Sequence, residues 1–163
     1  MNDLARLIEK HRVKGLLLDT NLLVVLLVGR TNRRRILECK RTQTYTVKEY
    51  DLLERFVALF PKAVTTPHLL TEVSNLDPLR GKERTVYQSF YKQWVKRSDE
   101  LFHESGNLVA EVSFDRFGLA DTAIEWAARR GMLVLTDDLN LYLMLREHGI
   151  DAVNFNHIRT HVW

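Results

Sequence analysis

Residues Gly15–Leu23 read GLLLDTNLL, and the apolar run continues through Val24, Val25, Leu26 and Leu27 to Val28. Leu16-Leu17-Leu18 is a short, unbroken apolar stretch ending in an acid, the pattern of a parallel strand buried on both faces. Thr20 to Val28 then reads as a helix, with Gly29 as its stop. Asp19, Thr20 and Asn21 interrupt a run that is too short to cross a bilayer. A small-residue cleavage site of the A-x-A kind does not follow it. The expectation is a buried strand leading straight into a buried helix, with no membrane segment.

Working outward, Met1 to His11 reads as a short amphipathic helix with Leu4, Leu7 and Ile8 on one side. On the other flank, Arg30 to Thr44 is polar and basic, with no clear element. Thr46 and Glu49 form a capping-box pattern ahead of Tyr50, Leu53, Phe56, Val57 and Phe60, which predicts a helix ended by Pro61. Ala63 to Thr65 is a short strand, and Thr66 caps a helix that has Pro67 in its first turn and runs to about Leu76. Lys82 to His103 predicts a long helix, with Val86, Phe90, Trp94 and Leu101 near one face and Tyr87 and Tyr91 beside it. Leu108 to Phe114 fits either a strand or a helix.

Leu119 to Arg130 is a helix stopped by Gly131, and Met132 to Thr136 is a strand. Asp138 to His148 is a helix stopped by Gly149, and Ala152 to Phe155 is a last strand; the tail to Trp163 is unassigned. Strands alternate with helices and hairpin signals such as Asn-Gly are missing. That pattern predicts an α/β fold around a mainly parallel central sheet.

The chain has 163 residues, 45% of them hydrophobic and 28% charged, so one folded domain over 1–163 is expected rather than disorder. A formal charge of +3 permits a nucleic-acid partner without requiring one. Cys39 is the single cysteine, so no internal disulfide or zinc cluster is expected, and a reducing cytoplasm fits. The patterns G-x-S-x-G, G-x-x-x-x-G-K-[ST] and H-E-x-x-H are absent, which removes support from serine-hydrolase, P-loop and zincin readings.

In an open parallel sheet, ligands bind beyond the carboxyl ends of the strands. Two strands end there in acids: Leu16-Leu17-Leu18 in Asp19, and Leu133-Val134-Leu135 in Thr136-Asp137-Asp138. Two more acids border apolar helix faces, Glu72 beside Leu69, Val73 and Leu76, and Asp121 beside Ala120, Ile124, Ala127 and Ala128. Each alone reads as a helix cap or a solvated rim residue. Brought together, four carboxylates would raise one another's proton affinity unless a cation neutralised them. Hard oxygen donors of this kind suit magnesium or manganese rather than zinc.

The same segments resemble PIN-domain nucleases. GLLLDTNLL looks like the family's opening strand, and PHLLTEVSNL (Pro67–Leu76) looks like the helix that bears its glutamate. GLADTAIEWA (Gly118–Ala127) looks like its central acidic helix, and VLTDDLNLYLMLREHGIDAVNF (Val134–Phe155) looks like its closing strand–helix–strand. The resemblance implies a three-layer Rossmann-like fold, with an extra helical segment here at about 77–111. It also implies a divalent-metal endoribonuclease that leaves 5′-phosphate and 3′-hydroxyl ends. On that resemblance Asp19, Glu72, Asp121 and Asp138 are the catalytic metal ligands for Mg2+ or Mn2+. Asn21 and Thr136 orient them, and Asp137 is a helper or cap. Glu125, one turn past Asp121, is expected to be a solvated helix acid. Many small members are VapC-type toxins with an antitoxin partner and a homodimeric state. Two segments depart from that compact form, Arg30–Thr44 and Asp77–Glu111.

Arg30, Arg33, Arg34, Arg35, Lys40 and Arg41 crowd one stretch. It reads equally as an RNA-guiding arm and as a solvated charged face. Lys92, Lys96 and Arg97 would extend such a track, while Tyr87, Tyr91 and Trp94 read as packing residues at helical spacing. His157 and His161 are one helical turn apart but have no third ligand in sequence, so they read as tail residues. Two other functions stay beside the nuclease. One is a non-catalytic RNA-binding or protein-interaction module on the same fold. The other, an aspartate-based phosphotransferase or receiver, ranks low: position 21 is Asn21 where a second Asp is wanted, and the acidic pair Asp137-Asp138 falls late.

Overall fold

The computed structural model describes residues 3–160. The first helix, α1 (Asp3–His11), leads into β1 (Leu16–Leu18) and then directly into α2 (Thr20–Thr31). Every residue of α2 from Leu22 to Gly29 is buried, as expected of a helix that is apolar all round. It packs against β4 on one side and against α4, α5 and α6 on others.

Gly29 is not the helix stop. The helix runs on to Thr31, because glycine there serves packing: a Cβ would lie 2.1 Å from the Tyr50 ring. Tyr50 lies on α4 (Val47–Ala58), which carries the expected Thr46–Glu49 capping box. Between these helices the basic segment holds only the one-turn α3 (Arg35–Glu38) and turns.

After β2 (Ala63–Thr65) comes α5 (Pro67–Asn75), with Thr66 as its side-chain cap and Pro67 in the first turn. The long helix α6 (Gly81–Arg97) ends six residues before the sequence suggested. Ser98 takes an extended conformation and its hydroxyl donates to the Trp94 carbonyl at 2.8 Å, closing the helix. Asp99–Glu100 then forms a short edge strand, β3, beside β2. Its two acids are exposed, which blunts the edge. Within α6 the buried positions are Tyr87 and Trp94, while Val86 is exposed.

The ambiguous 108–114 stretch is neither strand nor a single helix. It joins the short α7 (Ser105–Leu108) to α8 (Phe114–Ala128). Gly118 interrupts α8 with φ 79° and ψ −179°, a conformation that is essentially reserved to glycine. The regular helix therefore restarts after Gly118, and Asp121 falls in its first turn. β4 (Leu133–Thr136), α9 (Leu139–Glu147) and β5 (Ala152–Asn154) follow, and the unassigned tail opens with the short α10 (Phe155–Arg159).

The sheet order is β3-β2-β1-β4-β5, and all four neighbouring pairs are parallel. With helices on both faces this is a three-layer, Rossmann-like α/β arrangement. The chain leaves β1 toward β2 and β3 on one side and later returns to place β4 and β5 on the other. The strand order therefore reverses between β1 and β4, and the crevice beyond their carboxyl ends is where such sheets bind ligands. Among the described residues, no helix is long and apolar enough to cross a membrane.

Candidate functional site

Asp19 follows β1 and Thr136-Asp137-Asp138 close β4, so the two acidic strand ends meet at this reversal point. The cleft there, about 270 Å³, is lined by Asp19, Thr20, Asn21, Glu72, Asn75, Leu76, Asp121, Asp138 and Leu141. Four separate elements thus deliver Asp19, Glu72, Asp121 and Asp138 to one place.

Asp19 is 5% exposed and doubly committed. Its Oδ1 accepts from the Leu22 amide at 2.9 Å, capping α2. Its Oδ2 accepts from the Thr136 hydroxyl and from the Asp137 amide at 3.0 Å. Burial, followed by the charge of Asp137, holds its proton affinity well above the ordinary carboxylate range despite these donors. Thr136 orients the acid as expected, and its oxygen also accepts from the Asp138 amide at 3.0 Å.

Asp138 caps α9, its Oδ1 accepting from the Asn140 and Leu141 amides at 2.7 and 3.1 Å. The cap is therefore Asp138 and not Asp137. Glu72 is exposed at the cleft mouth, where Oε2 accepts from Thr20 Oγ1 at 2.9 Å. Asp121 accepts no hydrogen bond among the described residues. It is pushed up to about 7, first by burial and then by the charges of Asp138 and Glu72. A helix start favours a carboxylate, so crowding and desolvation win here over the helix dipole.

Asn21 and Asp137 depart from the sequence expectation. Asp137 bonds outside the four acids: the Asn21 amide donates to its Oδ1 at 3.4 Å, and the Tyr45 hydroxyl donates to its Oδ2. Asn21 still borders the acidic cleft, but its side-chain amide supports Asp137 rather than the four acids.

Glu125 is not a solvated helix acid. It is 1% exposed, does not line the cleft, and accepts from Ser113, from Arg129 at 3.0 Å and from His148 at 2.6 Å. Burial raises its proton affinity, but these donors outweigh it and leave the carboxylate below its ordinary range.

The basic stretch sorts itself. Arg30 is held by Glu54, Arg33 by Asp51, and Arg35 by Glu83 and Glu38. These three are paired with acids of the protein rather than left as free cations. Arg34, Lys40 and Arg41 are exposed and have no acidic partner among the described residues. Tyr87 and Trp94 are buried in the core, and Tyr91 packs against it. His157 stands edge-on to Tyr142, while His161 lies outside the described residues.

Sequence reasoning passed over Thr20, Asn75 and Tyr45. The signal for Asn75 was present: it lies one helical turn after Glu72 on the same face of α5. Tyr45 carried none, because its partner Asp137 is 92 residues away in sequence.

The carboxylates lining the cleft are Asp19, Glu72, Asp121 and Asp138, of which Glu72 and Asp138 are exposed and Asp19 is buried. Among the described residues, no group of three or more His, Cys, Asp or Glu stands at the spacing a bound metal would impose. Together, fold and site define a parallel α/β protein with an acidic cleft at its strand-order reversal. No family model matches the chain, and no curated protein matches it.

Proposed function

We propose that this chain is a divalent-metal-dependent endoribonuclease of the PIN-domain kind. The observation that carries the reading is the meeting of Asp19, Glu72, Asp121 and Asp138, from four separate elements, in one cleft at the β1/β4 reversal. The donor chemistry fits a hard cation. Every candidate ligand atom is a carboxylate oxygen, Asp121 has no competing hydrogen bond among the described residues, and Asp19 and Asp121 are pushed toward their protonated forms, first by burial and then by neighbouring carboxylate charge that a cation would offset.

Magnesium or manganese, when bound, supplies the Lewis acidity that phosphodiester hydrolysis requires. The chain's own residues set the frame. Thr136 and the Asp137 amide fix the Asp19 carboxylate, α9 fixes Asp138, and Thr20 holds Glu72 at the mouth. Leu76 and Leu141 form the apolar walls of the cleft. In this reading the scissile phosphate of an RNA strand enters at the open side, between Glu72 and Asp138.

An antitoxin partner and a homodimer belong to the toxin branch of the same proposal. The open spacing of the acids favours the alternative of a non-catalytic RNA-binding or protein-interaction module, and one experiment separates the two. Purified protein is incubated with single-stranded RNA and Mg2+ or Mn2+, alongside Asp19→Asn and Asp121→Asn. Cleavage by the parent, its loss in both variants with unchanged circular dichroism, and its abolition by EDTA are expected. Cleavage that persists in EDTA, or an Asp121→Asn protein that cuts as fast as the parent, overturns the nuclease reading.

A further inference from the structure

A second cavity, about 510 Å³, opens beside the acidic cleft and shares Asn21 with it. Its other lining residues are Lys40, Arg41, Thr44, Tyr45 and Asp137. We propose that this cavity is a phosphate subsite for the nucleotide next to the scissile bond, held by Lys40 and Arg41. The inference rests on the ribonuclease reading and deepens it: the substrate must extend past the bond that is cut.

Selective pairing of the cations carries the argument. In one twelve-residue stretch, Arg30, Arg33 and Arg35 are each consumed by an acid of the protein. Lys40 and Arg41 have no such partner among the described residues, yet both face a cavity. Pairing each of the other three keeps the fold from bearing the whole repulsion of the stretch. Of the three left over, Arg34 lies outside the cavity lining, whereas Lys40 and Arg41 sit where a polyanion leaving the acidic cleft would pass.

One acid, Asp137, lines the same cavity. Its two oxygens already accept from Asn21 and Tyr45, so its charge is spread over donors that would otherwise face the ligand. Arg159 lies over the Tyr45 ring at 4.8 Å and donates to the Thr44 carbonyl at 3.3 Å, bracing that wall. The lining charge is then two cations against one hydrogen-bonded carboxylate, a net attraction for phosphate. The neighbouring cleft, by contrast, has four acids as its only charged lining residues and would repel a phosphate that has no metal to meet. Two adjoining sites of opposite sign suit a chain with successive phosphates, and suit a single mononucleotide poorly.

The test is binding of a fluorescein-labelled single-stranded RNA decamer by anisotropy, in an Asp121→Asn background that prevents cutting. Lys40→Ala/Arg41→Ala is compared with Arg33→Ala/Arg34→Ala, which removes the same charge outside the cavity. Loss of two phosphate contacts lowers the log–log salt slope by about 1.4, so between about 50 and 200 mM salt the cavity variant loses roughly sevenfold less affinity than its parent. The control pair is expected to keep the parental slope. Equal slopes for the two double variants overturn the subsite while leaving the nuclease reading intact. No binding by the parent overturns the RNA reading and the subsite with it.

Discussion

The Thr136 hydroxyl donates across the strand-order reversal to Asp19, joining the end of β4 to the end of β1 over 117 residues of sequence. The same oxygen accepts the Asp138 amide, so one side chain ties two of the cleft acids together. Asp19 could not be held in a buried position by its own helix alone, since the Leu22 amide reaches only Oδ1.

Thr136→Val keeps the shape and removes the hydroxyl. The buried Asp19 carboxylate then loses one of its donors and the part-buried Asp138 amide loses its acceptor, at a cost of about 1–3 kcal/mol. RNA cleavage is expected to fall roughly 10–100-fold, as for other groups that orient a ligand, whereas Thr136→Ser restores both. Urea denaturation and initial rates check this; a valine variant with parental stability and rate would show that the hydroxyl orients nothing.

Asp121 gives the cleft a pH signature. In the folded chain it keeps its proton up to about pH 7, against an ordinary value of 3.8. The folded state thus binds more protons than the unfolded one between those limits. The stability conferred by neutral Asp121 is complete below about pH 4 and is lost as pH rises through about 7. Thermal melts in EDTA should decline across this window, and Asp121→Asn should flatten the decline. On the proposed metal reading, added magnesium is expected to raise the melting temperature more above about pH 7 than below about pH 5, since a cation would favour the ionised cluster. A melting temperature independent of both pH and Asp121 would contradict the crowding seen in the cleft.

Gly29→Ala tests why the second helix tolerates a glycine. The added methyl meets the Tyr50 ring at 2.1 Å, an overlap that costs about 1–3 kcal/mol. This outweighs the gain of roughly 1 kcal/mol that alanine normally brings inside a helix. A lower denaturation midpoint is expected, with partial recovery when Tyr50→Leu is added. An alanine variant more stable than its parent would mean that the ring moves aside freely.

Glu125→Ala separates the second buried acid from the four in the cleft. It strips Ser113, Arg129 and His148 of a shared acceptor. Arg129 and His148 reach water, so the loss is about 1–3 kcal/mol rather than that of a sealed ion pair. The melting temperature should drop while metal-dependent cleavage per folded molecule stays near parental. Loss of cleavage at full stability would place Glu125 in the chemistry instead.

The order of elements was written in local signals. The apolar run at Leu16–Leu18 marked a buried strand, the Thr46–Glu49 capping box a helix start, and Thr66-Pro67 another. Those signals act over a few residues, so a single sequence displays them. The acidic strand ends were legible for the same reason: an apolar run fixes the strand, and the residue after it has little freedom of position.

Contacts between distant segments were not legible. Nothing near Gly29 announces Tyr50, nothing near Asp137 announces Tyr45, and nothing in helical spacing says that Glu125 is buried against His148. Arg30, Arg33 and Arg35 looked like free cations until folding set Glu54, Asp51 and Glu83 beside them. Local sequence determined which segments become strands and helices, because propensity and capping are short-range effects. Only the tertiary structure decided which charges meet, because electrostatic pairing and burial depend on distances in space that the chain sets after it has closed.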